Sequence, residues 1–152
     1  MIFKMTTIRF QRNSEDARLP VKGTPRSAAF DLYSAETVTV TARSRVLVDT
    51  GLKLSECPDD IYLRIAPRSG LSVKRFDIGA GVVDSDYRGP VKVLFINNNW
   101  EDYTITTGDR IAQMIPERIR TDVLCVIDGE ENSTNPQFIK SERGEGGFGS
   151  TE

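Results

Sequence analysis

The clearest regularity along the chain is an alternation of apolar and polar positions. Thr37-Val38-Thr39-Val40-Thr41 alternates without a break, and Ile61, Leu63 and Ile65 alternate with Tyr62 and Arg64. Period two marks a strand with one buried face. Residues 91–96 are apolar enough to predict a strand covered on both faces, and 46–48 and 110–115 predict further short strands. Clusters of Gly, Pro, Asp and Asn separate these runs, which predicts an all-β sandwich or barrel. No long amphipathic helix is visible. The one helical candidate is brief, 69–75, following Pro67-Arg68.

The pattern changes near Ile127. Residues 128–142 read DGEENSTNPQFIKSE, a polar connection, and 143–151 read RGEGGFGST. The predicted organisation is therefore a single β-rich domain over 1–127 and a glycine-rich, mobile C-terminal arm over 128–152. On composition the arm reads as a flexible terminus. It also gathers a cation, an aromatic ring and two hydroxyls, as an arm closing over a ligand would.

Composition narrows the chemistry. The chain has 152 residues, 38% hydrophobic and 28% charged, as expected of one globular domain. A net charge of -2 argues against a protein that coats nucleic acid or an anionic membrane. No apolar run reaches membrane-spanning length, and residues 1–10 are too short and mixed for a signal peptide, so an intracellular protein is expected. Cys57 and Cys125 read as two reduced, buried thiols. Histidine is absent altogether. That removes Ser–His and Cys–His nucleophiles and His-ligated zinc, leaving a carboxylate as the natural general base.

Four further segments carry candidate chemistry. Ala66-Pro67-Arg68-Ser69-Gly70-Leu71-Ser72 sets a cation and a hydroxyl at the start of the helical candidate, where free N–H groups suit phosphate. An ordinary cap with a solvated arginine fits equally well. Gly79-Ala80-Gly81-Val82-Val83-Asp84-Ser85-Asp86-Tyr87-Arg88-Gly89 would admit a flat ligand close to the main chain, although a plain β-hairpin also satisfies it. Gly108-Asp109-Arg110-Ile111-Ala112-Gln113 reads as a turn followed by an everyday surface arginine. Asp31 is an acid among apolar neighbours, either structural or supporting a site.

Taken together and in order, AAFDLYSA (28–35), APRSGLS (66–72), GAGVVDSDYRG (79–89), GDRIAQ (108–113) and RGEGGFGST (143–151) resemble the five motifs of the trimeric dUTP diphosphatase family. The Asp-Tyr-Arg-Gly wording of the third is closer to eukaryotic and large-DNA-virus members. The resemblance implies a distorted jelly-roll β-barrel and a homotrimer whose three active sites are each shared between subunits. It implies hydrolysis of dUTP to dUMP and pyrophosphate, which lowers dUTP, protects DNA from uracil and supplies dUMP for dTMP synthesis. The expected setting is the cytoplasm, the nucleus or both.

Residue roles follow from the same resemblance. Asp84 would activate the water that attacks the α-phosphate. Arg68, Ser69 and Gly70 would contact the phosphates, with Gln113 on the α-phosphate side. Gly79, Gly81, Val82 and Val83 would hold uracil through the main chain, and Tyr87 would lie against the deoxyribose and exclude a 2′-hydroxyl. Arg143, Gly149, Ser150 and Thr151 would close on the γ-phosphate, with Phe148 stacked on the base. The expected cofactor is Mg²⁺, held by phosphates and waters with Asp31 near its water shell. Ala29 stands where the family carries glycine, so a positive φ there would strain the backbone. The nearest alternative, a dCTP deaminase-like relative, is disfavoured by Asp-Tyr-Arg-Gly and Phe148.

Overall fold

The computed structural model describes residues 5–125 and 127. Among these, eleven strands and one short helix follow in order: β1 (Arg9–Arg12), β2 (Val21–Lys22), β3 (Phe30–Tyr33), β4 (Val38–Val40), β5 (Arg45–Glu56), β6 (Ile61–Ala66), α1 (Ser69–Val73), β7 (Phe76–Gly79), β8 (Val82–Val83), β9 (Pro90–Asn97), β10 (Tyr103–Ile105) and β11 (Arg110–Arg118). One sheet has the order β1-β5-β9-β7 and another β2-β3-β11-β6-β8, while β10 and β4 form a small ladder. Every pairing is antiparallel.

All three sheets feed one apolar core. Val91, Val93 and Phe95 of β9 meet Leu63 and Ile65 of β6, Leu32 of β3, Ile111 and Met114 of β11, Val40 of β4 and Ile105 of β10. Phe76 tilts against Phe95 and Tyr103, with ring centroids 5.3 Å and 4.4 Å away. Burial of this kind supplies most of the drive to fold, at roughly 25 cal/mol per Å² of apolar surface. The buried polar side chains bond to main chain: Thr50 Oγ donates to the Val91 carbonyl at 2.6 Å, Ser34 Oγ to the Glu36 carbonyl at 2.6 Å, and Asn97 Nδ2 to the carbonyls of Val40, Thr41 and Glu101.

The structure departs from sequence expectation at several points. β9 alternates rather than being covered on both faces: Val91, Val93, Phe95 and Asn97 are buried, Leu94 and Ile96 half-buried and Lys92 exposed. The helix ends at Val73, because Arg75 takes a left-handed φ of +64° that no α-helix continues through. Neither thiol is fully buried. Cys57 is half-buried and Cys125 exposed, and both are free. Ala29 is absent from the left-handed positions among the described residues, so its replacement of glycine strains nothing; Ala80 is the alanine at positive φ, +55°.

The chain separates into two units, 1–121 and 122–152. In the second, residues 122–125 and 127 are exposed and form neither helix nor strand. No helix among the described residues is long and apolar enough to cross a membrane.

Candidate functional site

The third polar segment is not a hydrogen-bonded hairpin. β7 ladders onto β9 in one sheet, and β8 ladders onto β6 in the other. The chain changes sheet at Ala80-Gly81, where φ is +55° and then +106°. A Cβ on Gly81 would sit 2.5 Å from the Ile65 carbonyl oxygen, so only glycine lets the turn close on β6. The Ile65 N–H donates to the Gly81 carbonyl at 2.8 Å and fixes that approach.

The two diverging strands open a cavity of about 290 Å³. Gly79, Ala80, Gly81, Val82, Val83, Asp84 and Tyr87 line it, together with Leu47, Lys92 and Leu94. Most of the lining is apolar, with a few polar groups, as in small-molecule sites generally. Val83 is buried, pairing with Leu63, whereas Val82 is exposed. The Tyr87 hydroxyl donates to the Pro90 carbonyl at 3.0 Å and its N–H to the Asp84 carbonyl at 3.1 Å, so the tyrosine is locked across the turn. Asp84 is exposed at the cavity wall, and its carboxylate has no partner among the described residues.

The second group is built on the other sheet. Asp31 of β3 lies opposite Gln113 of β11, which lies opposite Ala66 of β6. Arg68, the residue before α1, donates Nε–H to Asp31 Oδ1 at 3.1 Å and Nη1–H to the Arg110 carbonyl at 3.3 Å. Arg110 donates Nη1–H to Asp31 Oδ2 at 3.4 Å. The Gln113 amide donates to the Pro67 carbonyl at 2.8 Å, bracing the segment that leads into Arg68. Ser69 and Gly70 open α1 in exposed positions, and nothing stands within 4 Å of a Cβ added at Gly70. α1 has no side-chain cap; the Leu71 and Ser72 N–H groups donate to the Arg68 carbonyl at 3.0 Å and 2.9 Å.

Thus Asp31, Arg68, Ser69, Gly70 and Gln113 gather in one place, and Gly79, Gly81, Val82, Val83, Asp84 and Tyr87 in another. None of the first group lines the cavity of the second. Arg143, Phe148, Gly149, Ser150 and Thr151 lie outside the described residues. Sequence reasoning missed Arg110, read as an ordinary surface residue. The register of β11 shifts between Arg110 and Ala112. That extra residue sends Ile111 into the core and puts Arg110 on the face of Asp31, where strict alternation would have put Ile111. No group of three His, Cys, Asp or Glu residues suited to a metal occurs among the described residues.

A doubled antiparallel sheet with a glycine-lined cleft, an aspartate unpartnered among the described residues and an arginine–aspartate–arginine cluster defines an enzyme-like jelly-roll protein. The comparisons narrow that class. The dUTPase family model matches residues 15–152, so the chain belongs to the dUTPase family. The deoxyuridine 5′-triphosphate nucleotidohydrolase of Yarrowia lipolytica is 50% identical over 139 residues, spanning 91% of this chain and 84% of that protein. The Variola virus protein of the same name is 42% identical, spanning 95% and 92%. These relatives bear out a eukaryotic or large-DNA-virus type. Among solved structures, a Staphylococcus bacteriophage 80alpha dUTPase with dUPNHPP superposes with a TM-score of 0.84 at 26% identity, covering 97% of this chain and 99% of that one.

Proposed function

We propose that this chain hydrolyses dUTP to dUMP and pyrophosphate, with Asp84 as general base. The observation that carries the reading is the cavity between β7 and β8, with the Asp84 carboxylate, unpartnered among the described residues, at its wall. Uracil would enter edge-on against the main chain from Gly79 to Val83, a narrow site suited to a base without thymine's methyl group. Tyr87, tethered to Pro90, would pack against the deoxyribose and leave no room for a 2′-hydroxyl.

Asp84 would take a proton from a water as that water's oxygen bonds to the α-phosphorus. The bond from that phosphorus to the bridging oxygen breaks, and pyrophosphate leaves. A positioned general base contributes about 10²–10⁴-fold to such a step. Arg68, Ser69 and Gly70 would hold the phosphates, with Gln113 bracing the segment that carries them. Arg143, Gly149, Ser150 and Thr151 would close on the terminal phosphate, and Phe148 would cover the base and exclude water.

The donor set fits Mg²⁺ that arrives with the triphosphate rather than a resident ion, because the described residues offer no cage. Asp31 would hold one of its waters. The ion supplies neutralisation of phosphate charge when bound. The separation of the arginine cluster from the Asp84 cavity within one chain supports a homotrimer whose sites are shared between subunits. Its setting would be intracellular, cytoplasm or nucleus, where it would lower dUTP and supply dUMP.

The test is pyrophosphate release from dUTP, dCTP, dTTP and UTP in turn. Turnover confined to dUTP is expected. Equal turnover of UTP or dTTP, or ammonia released from dCTP, would overturn the assignment.

A further inference from the structure

Arg18 lies in the loop before β2, and its guanidinium sits over the Tyr33 ring, 5.6 Å from the centroid. Tyr33 is the cross-strand partner of Arg110. Asp31, two residues earlier on the same face of β3, accepts from both Arg110 and Arg68. Directly opposed residues in an antiparallel pair hold their Cβ atoms about 5 Å apart. The row Arg18–Tyr33–Arg110–Asp31–Arg68 is therefore continuous. It sets two guanidinium groups on one carboxylate and a third, that of Arg18, over the neighbouring tyrosine ring.

The spare positive charge is built in rather than accidental. Glu15 and Asp16 are three and two positions from Arg18, yet Arg18 makes no ion pair among the described residues. Tyr33 and Gly108 hold it instead. A Cβ on Gly108 would lie 2.6 Å from Arg18 Nη2, so glycine is what lets the guanidinium settle there. Gly108, at φ +89°, also makes the turn that delivers Arg110. One turn thus brings two cations to Tyr33, and like charges held near one another favour the binding of an anion.

We propose that Arg18 and Arg110 form an outer anion subsite for the terminal phosphates of the substrate, with Arg18 as a specificity residue for polyphosphate over monophosphate. The inference rests on the reading that the Arg68 face binds the substrate's phosphates. A pyrophosphate-sized group reaches beyond Arg68 along the row and meets the unpaired charge. A single phosphate held at Arg68 does not need it.

The experiment compares the full chain with Arg18→Gln and Arg18→Lys. It reads kcat and KM for dUTP with Mg²⁺, calorimetric titration with inorganic pyrophosphate and with dUMP, and Tm. Arg18→Gln should raise KM and weaken pyrophosphate binding by about threefold to tenfold, leaving kcat, dUMP affinity and Tm unchanged. It should also flatten the ionic-strength dependence of kcat/KM, and Arg18→Lys should recover most of the loss. Unchanged KM and pyrophosphate affinity would overturn the proposal. So would equal weakening of dUMP and pyrophosphate with a lowered Tm, the outcome of a residue that only props its loop. A wild-type chain that fails to hydrolyse dUTP would instead refute the proposed function, while the pyrophosphate titration would still read the subsite.

Discussion

Arg68 reaches Asp31 through its Nε–H at 3.1 Å, and the same guanidinium donates to the Arg110 carbonyl at 3.3 Å. The arginine is thereby aimed from two sides before any ligand arrives. Catalysis by positioning depends on such pre-setting, and a displacement of about 1 Å can cost on the order of 100-fold. Asp31→Asn keeps the shape but weakens the ion pair. Its kcat/KM for dUTP should fall by about tenfold to 100-fold with circular dichroism unchanged. Steady-state kinetics at fixed Mg²⁺ check this, and an unaltered kcat/KM would count against the positioning role.

Arg110 shares Asp31 with Arg68 through the second carboxylate oxygen. Replacing Arg110 by Ala should raise KM for dUTP by about tenfold, since a charged hydrogen bond near phosphate contributes roughly 1.5 kcal/mol or more. Arg110→Lys should recover only part of it, because an ammonium cannot copy the planar fork. Isothermal titration with a non-hydrolysable dUTP analogue separates this loss from any change in kcat.

Gly81→Ala tests the opening between the two sheets. The substituted Cβ would meet the Ile65 carbonyl, and φ at +106° suits no other residue. The expected cost is about 1–3 kcal/mol of stability together with loss of nucleotide binding. Thermal unfolding and dUMP titration read the two effects separately.

Much of this architecture is legible in the residues, for reasons that also explain what is not. Ile61, Leu63 and Ile65 are buried at every second position, so β6 follows from its alternation. β1 and β2 are mostly exposed edge strands held by main-chain pairing, and they carry no such signal. Asp31 and Gln113 were identified as site residues by motif, and the register sets them opposite each other. Arg110 escaped because a bulge, invisible in local composition, turns it onto their face. The splayed course of β7 and β8 escaped for a related reason. Gly79-Ala80-Gly81 suits a tight turn in either case, and only tertiary pairing decides which sheet each arm joins.

On the outer side of β6 and β11, the Tyr62 hydroxyl donates to Glu117 at 2.5 Å and Arg64 Nε to the other carboxylate oxygen at 2.8 Å. The tyrosine bond, then the arginine, holds the Glu117 carboxyl below its ordinary value of 4.5. A depressed carboxyl contributes stability above its unfolded pKa and loses it as pH falls through the folded one. The bond to Glu117 raises Tyr62 above its ordinary 10.0, so its share persists below 10.0 and fades as pH rises further. Glu117→Gln should therefore lower Tm slightly near neutrality, with the gap to wild type closing under acid conditions. A gap that widened in acid would contradict the pairing.

Asp84, whose carboxylate is unpartnered among the described residues, stands at the wall of the cavity between β7 and β8. Its most direct test is single-turnover pyrophosphate release from dUTP by Asp84→Asn, with dUTP affinity measured on the same preparation. Binding within a few-fold of wild type and a rate lower by about 10²–10⁴-fold are predicted. Hydrolysis by that variant at close to the wild-type rate would show that another group activates the water.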